Sequence, residues 1–256
     1  MRFRRPPEEV PAPLPEWEYV PEGWDHAARG WDEGSVADGY ARKWPDFVAA
    51  IEPPKPLGVH HETAEVTTGD VGAHNMLVSF AYVVALASRG LDRLSVLDWG
   101  GGLGHYEALA RSVVPGLELD YHVKEIPAVA ARGRAGVTFH ADDACLDRTY
   151  DLVVASSSLQ YEPDWQALLG RLAAAAERYL YVARVPVALS APSFVVIQRP
   201  YVHGYETEYL GWVLNRDELL DAAGLPLARE FLLDMPFSAA GAPEDPVGHR
   251  SFLFNR

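Results

Sequence analysis

The sequence predicts an α/β protein built on a mostly parallel sheet, and two observations carry that prediction. From Leu94 onward, short apolar runs alternate with segments of helical spacing, an order that gives parallel strands covered on both faces. The first run, Leu94 to Leu97, ends in Asp98 and passes through a glycine-rich turn into a helix-like segment. Ligands of open parallel sheets bind at the carboxyl ends of strands, so this strand–turn–helix step marks the expected ligand site.

The elements follow in order. Six prolines fall between Pro6 and Pro21, which forbids helix or central strand there and predicts an extended arm over residues 1–22. Residues 23–93 read as an N-terminal helical cap. Its first helix spans Ser35 to Ile51 and is broken or bent near Pro45; its second runs from Val71 to Ser88 and ends before Gly90. Residues 94–256 form the ligand-binding domain. Strands are expected at Ser95–Asp98, Glu118–Lys124, Thr138–His140, Leu152–Ser156, Tyr179–Arg184, Ala228–Leu233 and Ser251–Phe254. Between them lie helices at about Tyr106–Val113, Ile126–Arg132, Asp164–Glu177 and Arg216–Ala223. Asp164 is a plausible N-cap, Asn215 with Glu218 makes a capping-box pattern, and Gly224 ends the last helix. A stretch dense in aromatic and polar residues, at about 186–214, is placed to cover the carboxyl ends of the strands as a substrate lid.

Composition narrows the function. A net charge of −14 is a poor match to the basic footprint of a nucleic-acid binder. Cys145 is the only cysteine, which removes a disulfide framework and a cysteine-rich zinc site. The adjacent pair His60 and His61, followed by Glu62, lacks a second ligand pair at helical spacing, so no metal is expected. No apolar run approaches the roughly 18 residues that suggest a membrane span, and no apolar stretch follows the N-terminal arginines as a secretory signal requires. The expectation is a soluble cytoplasmic protein with no nucleic-acid or membrane partner. The arm and the cap could serve a homodimer.

Spacing in the glycine turn selects the ligand. A dinucleotide fold requires G-x-G-x-x-G, and counting from Gly100 places His105 at the third glycine. The pattern present is D-x-G-x-G-x-G, from Asp98 through Gly100, Gly102 and Gly104. A carboxylate at the strand end does not suit a pyrophosphate, but it suits a ligand with a positive centre and an amino group, such as S-adenosyl-L-methionine. Glu125 lies 27 residues after Asp98, at the end of the second expected strand. A bidentate acceptor there suits both hydroxyls of a ribose, although a glutamate at a helix start is also favoured by the helix dipole.

The segment Val96 to Gly104 resembles the first motif of the class I S-adenosylmethionine-dependent methyltransferases. That resemblance implies a Rossmann-like fold of seven strands, mostly parallel, with the last antiparallel. It implies that Asp98 serves the amino group of the methionine moiety, that Gly100, Gly102 and Gly104 pack on that moiety, and that Tyr106 contacts the cofactor. It further implies that Asp142 or Asp143 touches the adenine, with Asp142 preferred, and that the segment holding Ser157, Gln160 and Tyr161 faces the reaction centre, with Ser157 and Gln160 contacting the cofactor. The N/D-P-P-Y/F tetrapeptide of methyltransferases that act on adenine or glutamine is missing from it. Taken in order, Trp24, the Ser35–Tyr40 segment, the glycine turn, Glu125-Ile126-Pro127, Ser156–Tyr161 and Arg184-Val185-Pro186 with Gln198 resemble a bacterial methyltransferase family associated with polysaccharide and natural-product biosynthesis. The implied reaction is in-line methyl transfer to a small molecule or a glycan precursor. If a base is needed, His203 and His61 lead, followed by Tyr106, Tyr161 and His105. Two other readings stay open: a methyltransferase fold kept as a scaffold, and a nicotinamide-dependent sugar-modifying enzyme, which lacks its third glycine and a Tyr-x-x-x-Lys pair here.

Overall fold

The computed structural model describes residues 14–52, 54–55, 57–61 and 63–256. Most of the expected proline-rich arm, and Glu62 of the histidine pair's neighbourhood, lie outside them. The elements in chain order are β1 (Trp17–Tyr19), α1 (Gly34–Ile51), α2 (Val71–Ala87), β2 (Arg93–Trp99), α3 (His105–Val113), β3 (Glu118–Lys124) and α4 (Pro127–Ala130). They continue with β4 (Thr138–His140), β5 (Tyr150–Ser156), α5 (Trp165–Ala175), β6 (Ala176–Ala188), β7 (Phe194–Gln198), β8 (Tyr209–Asn215), α6 (Arg216–Ala223), β9 (Leu227–Pro236) and β10 (Val247–Asn255).

Seven strands form the expected sheet in the order β4-β3-β2-β5-β6-β10-β9. The pairs from β4 to β6 are parallel, and β10 runs antiparallel to both β6 and β9. The order reverses between β2 and β5, a switch point at which a crevice opens above the carboxyl ends. Side chains alternate between the two faces with the period of two that a strand imposes. Leu152 and Val154 join Phe80 and Leu109 of α2 and α3 on one face. Val153 and Ala155 join Leu169, Leu172 and Leu219 of α5 and α6 on the other.

Among the described residues ten strands are present rather than seven. The expected lid holds β7 and β8, an antiparallel pair, and the N-terminal arm contributes β1, which pairs with β7. β1 falls between Pro15 and Pro21 and contains no proline itself, so the arm can supply an edge strand there. β8 joins the main sheet through the far end of β6, which runs past the expected stop at Arg184 as far as Ala188. That extension depends on a bulge. Ala183 and Arg184 together face Ser251 of β10, Arg184 takes φ of +57°, and its N–H donates to the Ser251 hydroxyl at 3.2 Å.

At Pro45 the expected break is absent, since α1 continues through it as one helix, and α4 is a single turn rather than a helix of seven residues. The capping residues behave as expected in part. Asp164 accepts from Ala167 N–H, and Asn215 accepts from Asp217 and Glu218 N–H. The capping box is not closed, because Glu218 accepts from the Ser193 hydroxyl, which in turn accepts from the Asn215 N–H. Each such cap is worth roughly 1 kcal/mol.

Candidate functional site

Above the carboxyl ends of β2, β3 and β5 lies a cleft of about 490 Å³. Its floor includes Trp99 and Gly100 of the glycine turn, Lys124, Glu125 and Ile126 after β3, and Ser157 and Ser158 after β5. The cap and β8 provide the opposite wall.

The glycine turn has the backbone its composition predicts. Gly100, Gly102 and Gly104 all have positive φ, at +72°, +58° and +82°. At Gly100 space also decides: a Cβ would lie 2.4 Å from the Cβ of Ser158, whose hydroxyl donates to the Trp99 carbonyl at 2.7 Å. Gly101, which the motif treats as variable, is equally constrained. A Cβ there would lie 2.4 Å from Asp98 Oδ2. Gly104 is the N-cap of α3 in the left-handed conformation, and Arg134 donates to its carbonyl and to that of Leu103.

Glu125 fixes the turn from the side. Its Oε1 accepts from Gly102 N–H at 2.9 Å and its Oε2 from Ile126 N–H at 2.8 Å. Each oxygen keeps a further lone pair, so a carboxylate in this state can still accept from a diol in the cleft. Burial raises its pKa, against the lowering effect of the two N–H donors. Asp98 is fully buried behind the turn and does not form part of the cleft wall. Tyr121 donates to its Oδ2 at 3.0 Å, while its Oδ1 is buried without a hydrogen-bond partner. Burial pushes the Asp98 pKa to about 7, Tyr121 opposes the rise, and the charge of Glu125 adds to it. A buried acceptor with one oxygen unsatisfied, next to glycines that leave no room for a Cβ, fits a ligand carrying an amino group.

Ser157 lies on the cleft wall with φ of +52°, rare for a residue other than glycine and typical of strained positions at functional sites. Gln160 is buried beneath it and donates to its hydroxyl at 3.3 Å, so Gln160 supports the wall rather than forming it. Tyr161 is on the wall, and its hydroxyl donates to Gln198 Oε1 at 2.9 Å.

Several expected residues are elsewhere. Tyr106 is in the core, against Phe80 and hydrogen-bonded to Ser156 at 2.7 Å, because the first turn of α3 points it at α2. Asp142 caps the short turn after β4 through Ala144 N–H, and Asp143 pairs with Arg171 at 2.8 Å; neither lines the cleft. His203 is bound to Glu16 at 3.0 Å, a contact that lowers the Glu16 pKa and joins the arm to the segment after β7. His61 is buried and stacked on His105 at 4.2 Å, and it lines a second cavity of about 180 Å³ with Arg184. Neither leading base candidate therefore reaches the main cleft. Among the described residues, no group of three or more His, Cys, Asp or Glu side chains converges as a metal site.

Sequence reasoning did not assign Lys124, Trp31 or Tyr209 to the site. Lys124 lies over the Trp99 ring at 4.8 Å, on the floor of the cleft. Trp31 stacks on Tyr209 at 4.0 Å, and both meet Tyr161 edge-on. For Trp31 aromatic character was the only local signal, and for Tyr209 that and its place in the expected lid; their meeting depends on tertiary structure.

No protein-family model and no curated protein matches the chain. Among solved structures, it is similar to the S-adenosylmethionine-bound magnesium protoporphyrin IX methyltransferase of Synechocystis PCC 6803, at 16% identity and a TM-score of 0.50. That alignment covers 90% of this chain and 100% of the other. An amino pentose methyltransferase of Micromonospora echinaspora aligns over 73% of this chain and 92% of its own, at 17% identity and a TM-score of 0.46. With the strand order and the antiparallel β10, the fold is that of the class I S-adenosylmethionine-dependent methyltransferases. Among the described residues, no helix is long and apolar enough to cross a membrane.

Proposed function

We propose that the protein is a methyltransferase that binds S-adenosyl-L-methionine in the main cleft and methylates a small-molecule acceptor, with saccharide and natural-product intermediates as the class to test first. The observation that carries this reading is Glu125: a carboxylate on the cleft wall, locked to the glycine turn through Gly102 N–H and oriented by Ile126 N–H. That position suits a ribose. Gly100 gives the backbone room to approach the ligand, and Asp98 behind the turn offers an acceptor for an amino group. When bound, S-adenosylmethionine supplies an already activated methyl group. The protein's share is then to hold the acceptor atom in line and to exclude water, which needs no strong base unless the acceptor must lose a proton. Ser157 and Tyr161 line the cleft just after β5, where the Ser158 hydroxyl is already given to the Trp99 carbonyl, and they are assigned to positioning the acceptor. The placement of His61 and His203 argues against either as the base.

The test is calorimetric titration with S-adenosylhomocysteine beside NADH. Micromolar binding of the first and none of the second supports the reading. Folded protein that binds neither overturns it. Binding without methyl transfer to any offered acceptor favours a scaffold.

A further inference from the structure

The wall opposite the glycine turn is aromatic. Trp31 comes from the loop before α1, Tyr161 from the turn after β5 and Tyr209 from the start of β8, and the three rings pack at 4.0 to 5.1 Å. Trp24 adds a fourth ring to the lining, backed by Trp212 at 5.6 Å. These rings stand on the cap, on the turn after β5 and on β8, not on the loops after β2 and β3 that carry Gly100 and Glu125. A wall of this kind binds flat or ring-shaped molecules through their apolar faces.

Two further observations narrow the ligand. The indole Nε1 of Trp31 is buried and has no hydrogen-bond partner, a donor that stays costly until an acceptor meets it. The charge of the lining also has one dominant sign. Asp32, Glu125 and Glu162 carry carboxylates, while the lysine of the lining, Lys124, already lies over Trp99 and 3.8 Å from Asp143. Burial raises the Glu162 pKa, which marks a place where an unpaired charge is costly. No arginine belongs to the described lining.

From these features we infer that the acceptor is a ring-bearing molecule without phosphate or carboxylate, seated on the Trp31–Tyr209 wall and accepting a hydrogen bond from Trp31 Nε1 through a ring or carbonyl oxygen. The inference rests on the methyl-donor reading, since it takes the glycine-turn end of the cleft as the donor's place. Acceptors presented on a diphosphate carrier fit the cleft poorly, because among the described lining residues the one lysine already lies over Trp99 and beside Asp143.

The test is ligand-detected saturation-transfer NMR on the full chain with S-adenosylhomocysteine present. The probes are 4-nitrophenyl β-D-glucopyranoside and the same compound phosphorylated at the 6-position. The neutral probe is expected to bind, the phosphorylated one at least about tenfold more weakly, and Trp31→Phe to weaken the neutral probe about tenfold (roughly 1.4 kcal/mol). Affinity for S-adenosylhomocysteine should stay within twofold in Trp31→Phe, which also shows that the variant is folded. Equal or tighter binding of the phosphorylated probe, no effect of Trp31→Phe, or no transfer to either probe while S-adenosylhomocysteine is bound overturns the inference and leaves the methyl-donor reading standing. Loss of S-adenosylhomocysteine binding by the unaltered protein is the separate result that removes the reading beneath it.

Discussion

At one end of the cleft, Gly100, Gly102 and Glu125 follow directly on two adjacent parallel strands and are tied by backbone donors, Gly102 N–H to the Glu125 carboxylate and Gly100 N–H to the Lys124 carbonyl. At the other, Trp31, Tyr161 and Tyr209 come from three distant segments and meet through ring contacts. The first end is fixed by short-range covalent and hydrogen-bond geometry, in which displacement by an ångström breaks a contact. The second is held by packing, whose energy changes gradually with shape. A protein assembled this way can keep its donor site unchanged while its acceptor wall drifts, and the two ends should respond differently to substitution.

The largest effect is expected at Glu125. Glu125→Ala leaves the Gly102 and Ile126 N–H groups without their acceptor and removes the proposed ribose contact; a loss of about 3 kcal/mol corresponds to roughly 100-fold weaker S-adenosylhomocysteine binding by calorimetry. Gly101→Ala comes next. Its Cβ would overlap the Asp98 carboxylate, so the variant should lose about 1–3 kcal/mol of stability in urea unfolding.

The pH dependence follows from Asp98. Its folded-state pKa is raised from 3.8 to about 7, so the folded chain holds this proton more tightly than the unfolded chain. Stability from this group is therefore greatest at low pH and is lost as pH rises from about 4 through about 7. Ligand binding has the opposite sign. An amino-bearing ligand selects the ionised carboxylate, so affinity for S-adenosylhomocysteine should rise about tenfold between pH 6 and pH 8. Asp98→Asn should flatten that profile; an unchanged slope would show that another group titrates.

Smaller effects are expected at the aromatic wall. Tyr161→Phe removes the hydrogen bond to Gln198 and should cost about 1 kcal/mol in stability, leaving donor affinity unchanged. His203→Ala should change donor binding by less than twofold, because this histidine is engaged with Glu16 outside the cleft. A large loss of donor binding there would erase the proposed difference between the two ends.

The same contrast explains what could be read from the sequence. The core sheet was legible because each strand is a local apolar run, and the glycine turn because its spacing is a local backbone constraint. Asn215 and Gly224 were legible as caps for the same reason. β7 and β8 were read as a lid because their pairing with β1 and with the far end of β6 requires partners remote in sequence. The extension of β6 depends on a positive φ at Arg184, a conformation that nothing in an arginine announces. His61 and His203 were attractive as histidines near expected binding surfaces. Their stacking on His105 and pairing with Glu16 are tertiary contacts that residue type alone does not reveal.

The most direct measurement is calorimetric titration of S-adenosylhomocysteine into three proteins under one set of conditions: the unaltered chain, Glu125→Ala and Trp31→Phe. Micromolar binding to the unaltered chain, about 100-fold weaker binding to Glu125→Ala and unchanged binding to Trp31→Phe are predicted. Equal affinity in the unaltered chain and Glu125→Ala, or no binding to a folded unaltered chain, would contradict the assignment of the glycine-turn end to the methyl donor.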